Sequence, residues 1–145
     1  NHLGLAWLGL GELERAEAAF SEALHMRRRL EQDAAALDDL AGLARVALAR
    51  GEIAEAQNHV AEILTYLEAQ SVEGVEFPVL VYLTCARVSR AVGEEAQAEI
   101  VLAEGRRLLE TRAAAIQDTA LRAQFVERAP FNRELAVFCA GMGVT

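Results

Sequence analysis

The side chains able to do chemistry are scattered through the sequence. His2, His25 and His59 fall in different segments, without the His, Cys and carboxylate spacing that holds a metal ion. Asp38 and Asp39 are adjacent, which on a helix turns them about 100° apart and does not aim two carboxylates at one reacting atom. Ser21, Ser71 and Ser89 sit in no nucleophile-elbow pattern. Gly9 and Gly11 lack the strand-to-helix context and the lysine of a phosphate loop. Cys85 and Cys139 lie in apolar stretches and read as buried, reduced thiols of a cytoplasmic protein. These residues predict no catalytic constellation, metal site or cofactor, so the chain reads as non-enzymatic.

The remaining chemistry is charge. All 14 basic residues are Arg, and the formal net charge is -8 with a pI near 4.9. That balance argues against a nucleic-acid partner, which needs concentrated positive charge. The run Arg27-Arg28-Arg29 closes a helical pattern, where cations suit the negative end of the helix dipole, and a solvated helix end is expected there. Hydrophobic residues make up 53% of the chain and aromatics only 6%. That surface is mainly Ala and Leu, both strong helix formers, and Pro78 and Pro130 are the only prolines. An all-α domain follows. No run approaches the roughly 18 apolar residues needed to cross a membrane. The chain opens at Asn1 within a helical pattern and reads as a piece of something longer.

Taken in order, the chain divides into helical pairs. A first helix to Gly9 ends at Gly11, with Glu12 in the first turn of the next. That second helix runs from Leu13 to about Leu30 with Leu13, Ala16, Phe20, Ala23 and Leu24 on its buried face. Asp33 is a plausible N-cap for a helix reaching Gly51-Glu52, followed by Ile53 to about Ala69. Ser71 to Glu76 is the one long loop. Pro78 opens the next helix, which runs to Gly93-Glu94, and its partner spans Glu95 to about Gln117. Leu121, Phe125 and Val126 on one short helix, and Leu135, Phe138 and Met142 on another, make apolar stripes suited to capping the last pair.

The pairs repeat. Leu3, Gly11, Ala16 and Phe20 have counterparts Leu43, Gly51, Ala56 and Val60, then Cys85, Gly93, Ala98 and Leu102, with internal offsets of eight, five and four in all three sets. The glycines are 40 residues apart (51 minus 11) and then 42 (93 minus 51). Small Ala16, Ala56 and Ala98 permit two helix axes to approach to about 8–10 Å. The larger residue four positions later is expected to fill the space between one hairpin and the next. The predicted units are about 1–32, 33–72 and 77–117, with capping helices over about 118–144.

Leu3-Gly4-x-x-Trp7, Ala16-x-x-x-Phe20 and Ala23 resemble a tetratricopeptide (TPR) repeat. The second unit has Ala44 and Ala47 where the first has Gly4 and Trp7, and the third has Ala86 and Ser89. The closing proline is absent and the spacing exceeds the family's 34 residues, as in the longer repeats of large bacterial signalling proteins. Leu121 to Leu135 is similar to the end of the TPR region of multidomain bacterial regulators of the maltose-activator type. The resemblance implies a right-handed α-α superhelix of three hairpins plus capping helices.

In that family the first helix of each pair lines a concave groove. The register of Gly11, Gly51 and Gly93 then assigns Leu5 and Leu8, Asp38, Ala41, Arg45 and Leu48, and Leu80, Leu83, Arg87 and Arg90 to the groove. Arg45, Arg87 and Arg90 can hold an acidic peptide or carboxylate through bidentate contacts; alternatively they pair with Asp38, Glu76 or Glu94 and bind nothing. Two functions are open. One is a protein-docking or peptide-docking module, the sensor or regulatory segment of a larger bacterial signalling or transcription-regulating protein. The other is a self-associating or spacer solenoid, a homodimer through its exposed repeat faces.

Overall fold

Each Gly-Glu dipeptide ends one helix and starts the next with the same hydrogen bonds. Gly11, Gly51 and Gly93 have φ of 77°, 77° and 82°, a conformation that costs a residue with a Cβ but not glycine. The following amide then closes back on the old helix: Glu12 N–H on Trp7 O at 3.0 Å, Glu52 on Ala47 at 2.9 Å and Glu94 on Ser89 at 2.9 Å. The same glutamates give their carbonyls to the new helix, accepting from Ala16, Ala56 and Ala98. They therefore stand one residue before the first turn expected for Glu12, and Glu14 occupies that turn instead.

The computed structural model describes residues 1–143. Among the described residues there are eight helices and no strand: α1 (His2–Gly9), α2 (Leu13–Arg29), α3 (Asp33–Arg50), α4 (Ile53–Ala69), α5 (Pro78–Ala91), α6 (Glu95–Ala114), α7 (Thr119–Arg128) and α8 (Pro130–Met142). Consecutive helices pack on one another from α1 through α6, and α3 also packs on α1 and α5. α2 and α4 do not pack on one another and meet through the Arg28–Glu62 ion pair at 2.5 Å, and no helix packing joins α4 to α6. Two rows result, with α3 and α5 in the better buried one. None of these helices is long and apolar enough to cross a membrane.

The repeat positions pack as their sizes require. Ala16, Ala56, Ala98, Phe20 and Leu102 are fully buried and Val60 nearly so. Phe20 lies so close to α1 and α3 that a Cβ on Gly4 would stand 2.6 Å from its ring and one on Gly42 2.3 Å away. Gly4 belongs to the repeat pattern, whereas Gly42 is a second contact on the next hairpin. Leu3 differs from its counterparts Leu43 and Cys85: it is 58% exposed, while they are buried.

Two sequence expectations at helix ends need correction. α6 stops at Ala114, short of Gln117, because the Asp118 carboxylate accepts from Leu121 N–H at 2.9 Å and starts a new helix. Asp33 is the first helical residue and Gln32 takes the N-cap position, a one-residue shift of the kind usual at helix ends. In the Arg27-Arg28-Arg29 run at the end of α2, Arg28 and Arg29 are exposed as expected, whereas Arg27 turns inward. Arg27 Nε lies 3.0 Å from the buried Asp39 and its Nη1 lies 3.9 Å from Asp38 and donates to Ala35 O. Burial of two carboxylates at the start of α3 draws the guanidinium inward, since an unpaired buried charge is costly.

α7 and α8 form an end unit. α7 has no buried residue, and α8 is anchored by Asn132, Leu135 and Cys139. Leu135 is fully buried where α6 presents Gly105. A Cβ on Gly105 would lie 2.8 Å from Tyr82 Cβ and 3.6 Å from Leu135 Cδ1, so the glycine admits both α5 and α8. Asn132 Nδ2 donates to Phe125 O at 2.8 Å, tying α8 to α7.

Candidate functional site

α3 carries Arg45 and α5 carries Arg87 and Arg90, and α8 lies along α5. Helical spacing puts Glu134 and Phe138, four residues apart, on the same face of α8. Glu134 Oε1 is 2.6 Å from Arg87 Nη2 and 3.4 Å from Arg45 Nη2. The Arg87 and Arg90 guanidiniums stand 5.7 and 5.6 Å from the Phe138 ring centroid, within range for cation–π attraction. α8 thus contacts all three arginines that the sequence places in the groove.

The charges at this junction do not balance. Two guanidiniums reach one carboxylate oxygen, and Arg45 Nη1 is buried without a hydrogen-bond partner. Desolvation pulls the Arg45 pKa below its ordinary value; Glu134 opposes that shift and nearby Arg87 reinforces it. A second anion beside Arg45 would offset the repulsion between the guanidiniums and supply the absent acceptor.

Space for such a group exists on both sides of Arg87. One pocket of about 390 Å³ is lined by Leu8, Arg45, Leu48, Ala49 and Arg87. Another, of about 480 Å³, lies over α8 and is lined by Arg87, Pro130, Arg133, Glu134, Val137, Phe138 and Gly141. A depression of about 500 Å³ near Glu31, Asp33 and Tyr66 has no arginine in its wall. Charge is also unevenly distributed along the chain. Residues 1–77 hold 14 acidic residues and six Arg, whereas residues 78–145 hold eight of each, and α5 carries two Arg and no acid.

Of the sequence-assigned groove residues, Arg45, Arg87 and Leu48 share one pocket wall, and Arg90 joins them through Phe138. Asp38 and Leu83 do not belong there. Leu83 is fully buried in the core, as are Ala41 and, within 1%, Leu80. Asp38 is 3% exposed and accepts from the backbone N–H groups of Glu76 and Phe77 at 2.8 and 2.9 Å. It fixes the loop that leads into α5, whose Pro78 has no N–H of its own to offer. Burial raises the pKa of Asp38, against the lowering effect of those two backbone bonds and of Arg27. Burial likewise raises that of Asp39, with Arg27 opposing.

The arginines also pair differently from the expected partners Asp38, Glu76 and Glu94. Arg45 and Arg87 share Glu134, and Phe138 is the aromatic neighbour of Arg87 and Arg90. The sequence signal for this pair was its i, i+4 spacing on a helix whose Leu135 and Met142 read as a cap. Register alone does not say which helix the cap lies against. Elsewhere His2 Nε2 meets Glu76 at 2.8 Å, and desolvation lowers the His59 pKa. Among the described residues no three His, Cys, Asp or Glu side chains are grouped to hold a metal ion.

Set against protein-family models, curated proteins and solved structures, the chain has no match. The arginine junction therefore has to be interpreted from its own chemistry.

Proposed function

We propose that the chain is a helical interaction module that docks an acidic segment of another protein at Arg45, Arg87 and Arg90. The observation that carries this reading is the unbalanced pair of guanidiniums, with Arg45 Nη1 buried and unpartnered beside a pocket walled by Leu8 and Leu48. Arg presents a planar fork of donors suited to carboxylates, and apolar walls exclude water from the contact. On the sequence resemblance to TPR repeats, the helical pairs form a right-handed superhelix with α1, α3 and α5 along its inner face. The same resemblance assigns the module to the sensor or regulatory part of a larger bacterial signalling or transcription-regulating protein.

Fluorescence anisotropy with a short labelled peptide in which Glu alternates with Leu tests the docking directly. Arg45→Ala with Arg87→Ala should weaken binding by about tenfold or more, the equivalent of about 1.4 kcal/mol. Equal affinity in the wild type and the double variant would contradict the reading.

A second reading, self-association, rests on a different observation. Met26 and Leu30, one turn apart at the end of α2, are each more than half exposed and line one depression, and adjoining exposed apolar side chains mark interfaces. Light scattering across a concentration series separates the two: a mass that rises with concentration supports self-association, and a constant monomer mass contradicts it.

A further inference from the structure

We propose that α8 is the chain's own occupant of the arginine site, so that the partner is a helix presenting a carboxylate and an aromatic ring one turn apart that takes the places of Glu134 and Phe138. This rests on the docking reading above and adds both the partner's chemistry and the way access is controlled.

Three observations lead to it. First, Glu134 and Phe138 meet the arginines through two different kinds of contact from one helical face. The carboxylate bridges Arg87 and Arg45, and the ring lies near the guanidiniums of Arg87 and Arg90. A helix carrying an acid at position i and an aromatic at i+4 reproduces that pattern. Second, the end unit has bonds of its own and is attached to α5 and α6 through few buried side chains, chiefly Leu135 and Cys139 of α8. Asp118 caps α7, Arg122 donates to Ile116 O through Nε and Nη2 at 3.0 and 2.7 Å, and Asn132 joins α8 to α7. α7 buries no residue, so α8 carries most of the attachment. Third, the fit of α8 is incomplete at the site itself, because one carboxylate serves two guanidiniums and leaves Arg45 Nη1 unpartnered. Elements with few buried apolar contacts open at a lower free energy than the core.

A tethered ligand competes with a free one through its high effective concentration. The wild-type protein should therefore bind a free copy of α8 weakly, by the fraction of molecules whose site is open. Weakening Glu134 and Phe138 raises that fraction while leaving Leu135, Cys139 and Asn132 to keep the end unit folded.

The test uses the full chain and a labelled synthetic peptide with the sequence of residues 129–143, followed by anisotropy. Glu134→Gln with Phe138→Ala should bind the peptide about tenfold or more tightly than wild type. Adding Arg87→Ala should reverse the gain. Glu134→Gln alone provides a second, milder variant and should give a smaller gain of the same sign. A peptide with Gln and Ala at the positions of Glu134 and Phe138 should lose the difference between the proteins. Unchanged peptide affinity in both variants, with Arg87-dependent binding of the Glu-Leu peptide intact, would overturn the α8 proposal alone. Loss of Arg dependence for both peptides would overturn the docking reading with it.

Discussion

At the scale of single residues, backbone and ring geometry set the demands. Glu31 is the sole described residue other than glycine with positive φ, at 54°, and Gln32 N–H closes on Arg27 O at 2.9 Å as in the Gly-Glu turns. Glutamate there carries a cost that glycine avoids. Glu31→Gly should raise stability by about 0.5–1 kcal/mol in a urea titration, the relief of left-handed strain exceeding the entropy lost by adding a glycine. Gly42 poses the opposite case. With its Cβ position 2.3 Å from the Phe20 ring, Gly42→Ala should destabilise by about 1–3 kcal/mol through overpacking, and an unchanged urea midpoint would contradict the close approach. Asp39 tests burial by pH. Its folded pKa is raised above the unfolded value, so between the two the folded state binds more protons and stability falls as pH rises through that window. Asp39→Asn removes this contribution, and its stability relative to wild type should increase with pH across the same window. The glycines at the three turns were legible from sequence because a chain reversal needs positive φ. Gly42 was not, because only the packed ring of Phe20 reveals the demand.

At the scale of helices, the repeat was readable because equal offsets recur with small residues at the crossings. Ala16, Ala56 and Ala98 show this directly, all fully buried. Ala56→Leu should therefore cost about 1–3 kcal/mol by forcing the second hairpin apart, measured by thermal melting at fixed pH. The placement of α8 was not readable in the same way. Its apolar stripe of Leu135, Phe138 and Met142 marks it as a packing helix, but where it packs depends on Gly105, a residue outside the repeat pattern that makes room for Leu135. The charge partners were missed for the same reason. Sequence neighbours such as Glu94 are near Arg90 along the chain, while Glu134 reaches Arg45 across 89 positions. Leu135→Ala should cost about 2–5 kcal/mol locally, and hydrogen exchange should show faster opening in α7 and α8 while α3 and α5 stay protected.

At the scale of the whole molecule, an acidic chain gathers an excess of positive charge at one junction. The two halves differ by eight net charges, and α3, α5 and α8 bring Arg45, Arg87 and Arg133 to the single Glu134, with Arg90 beside Phe138 one turn away. Binding of an acidic segment there should weaken with salt, since exposed charges farther apart than about 10 Å are screened at 0.1 M. The measurement that tests the account most directly is an NMR titration of the arginine Nε–Hε resonances with the Glu-Leu peptide. Shifts concentrated on Arg45, Arg87 and Arg90, with the Arg90 shift lost in the Arg45→Ala, Arg87→Ala variant, are the predicted result. Shifts spread evenly over Arg15, Arg28, Arg107 and the others, or no shift at Arg45 and Arg87, would contradict it.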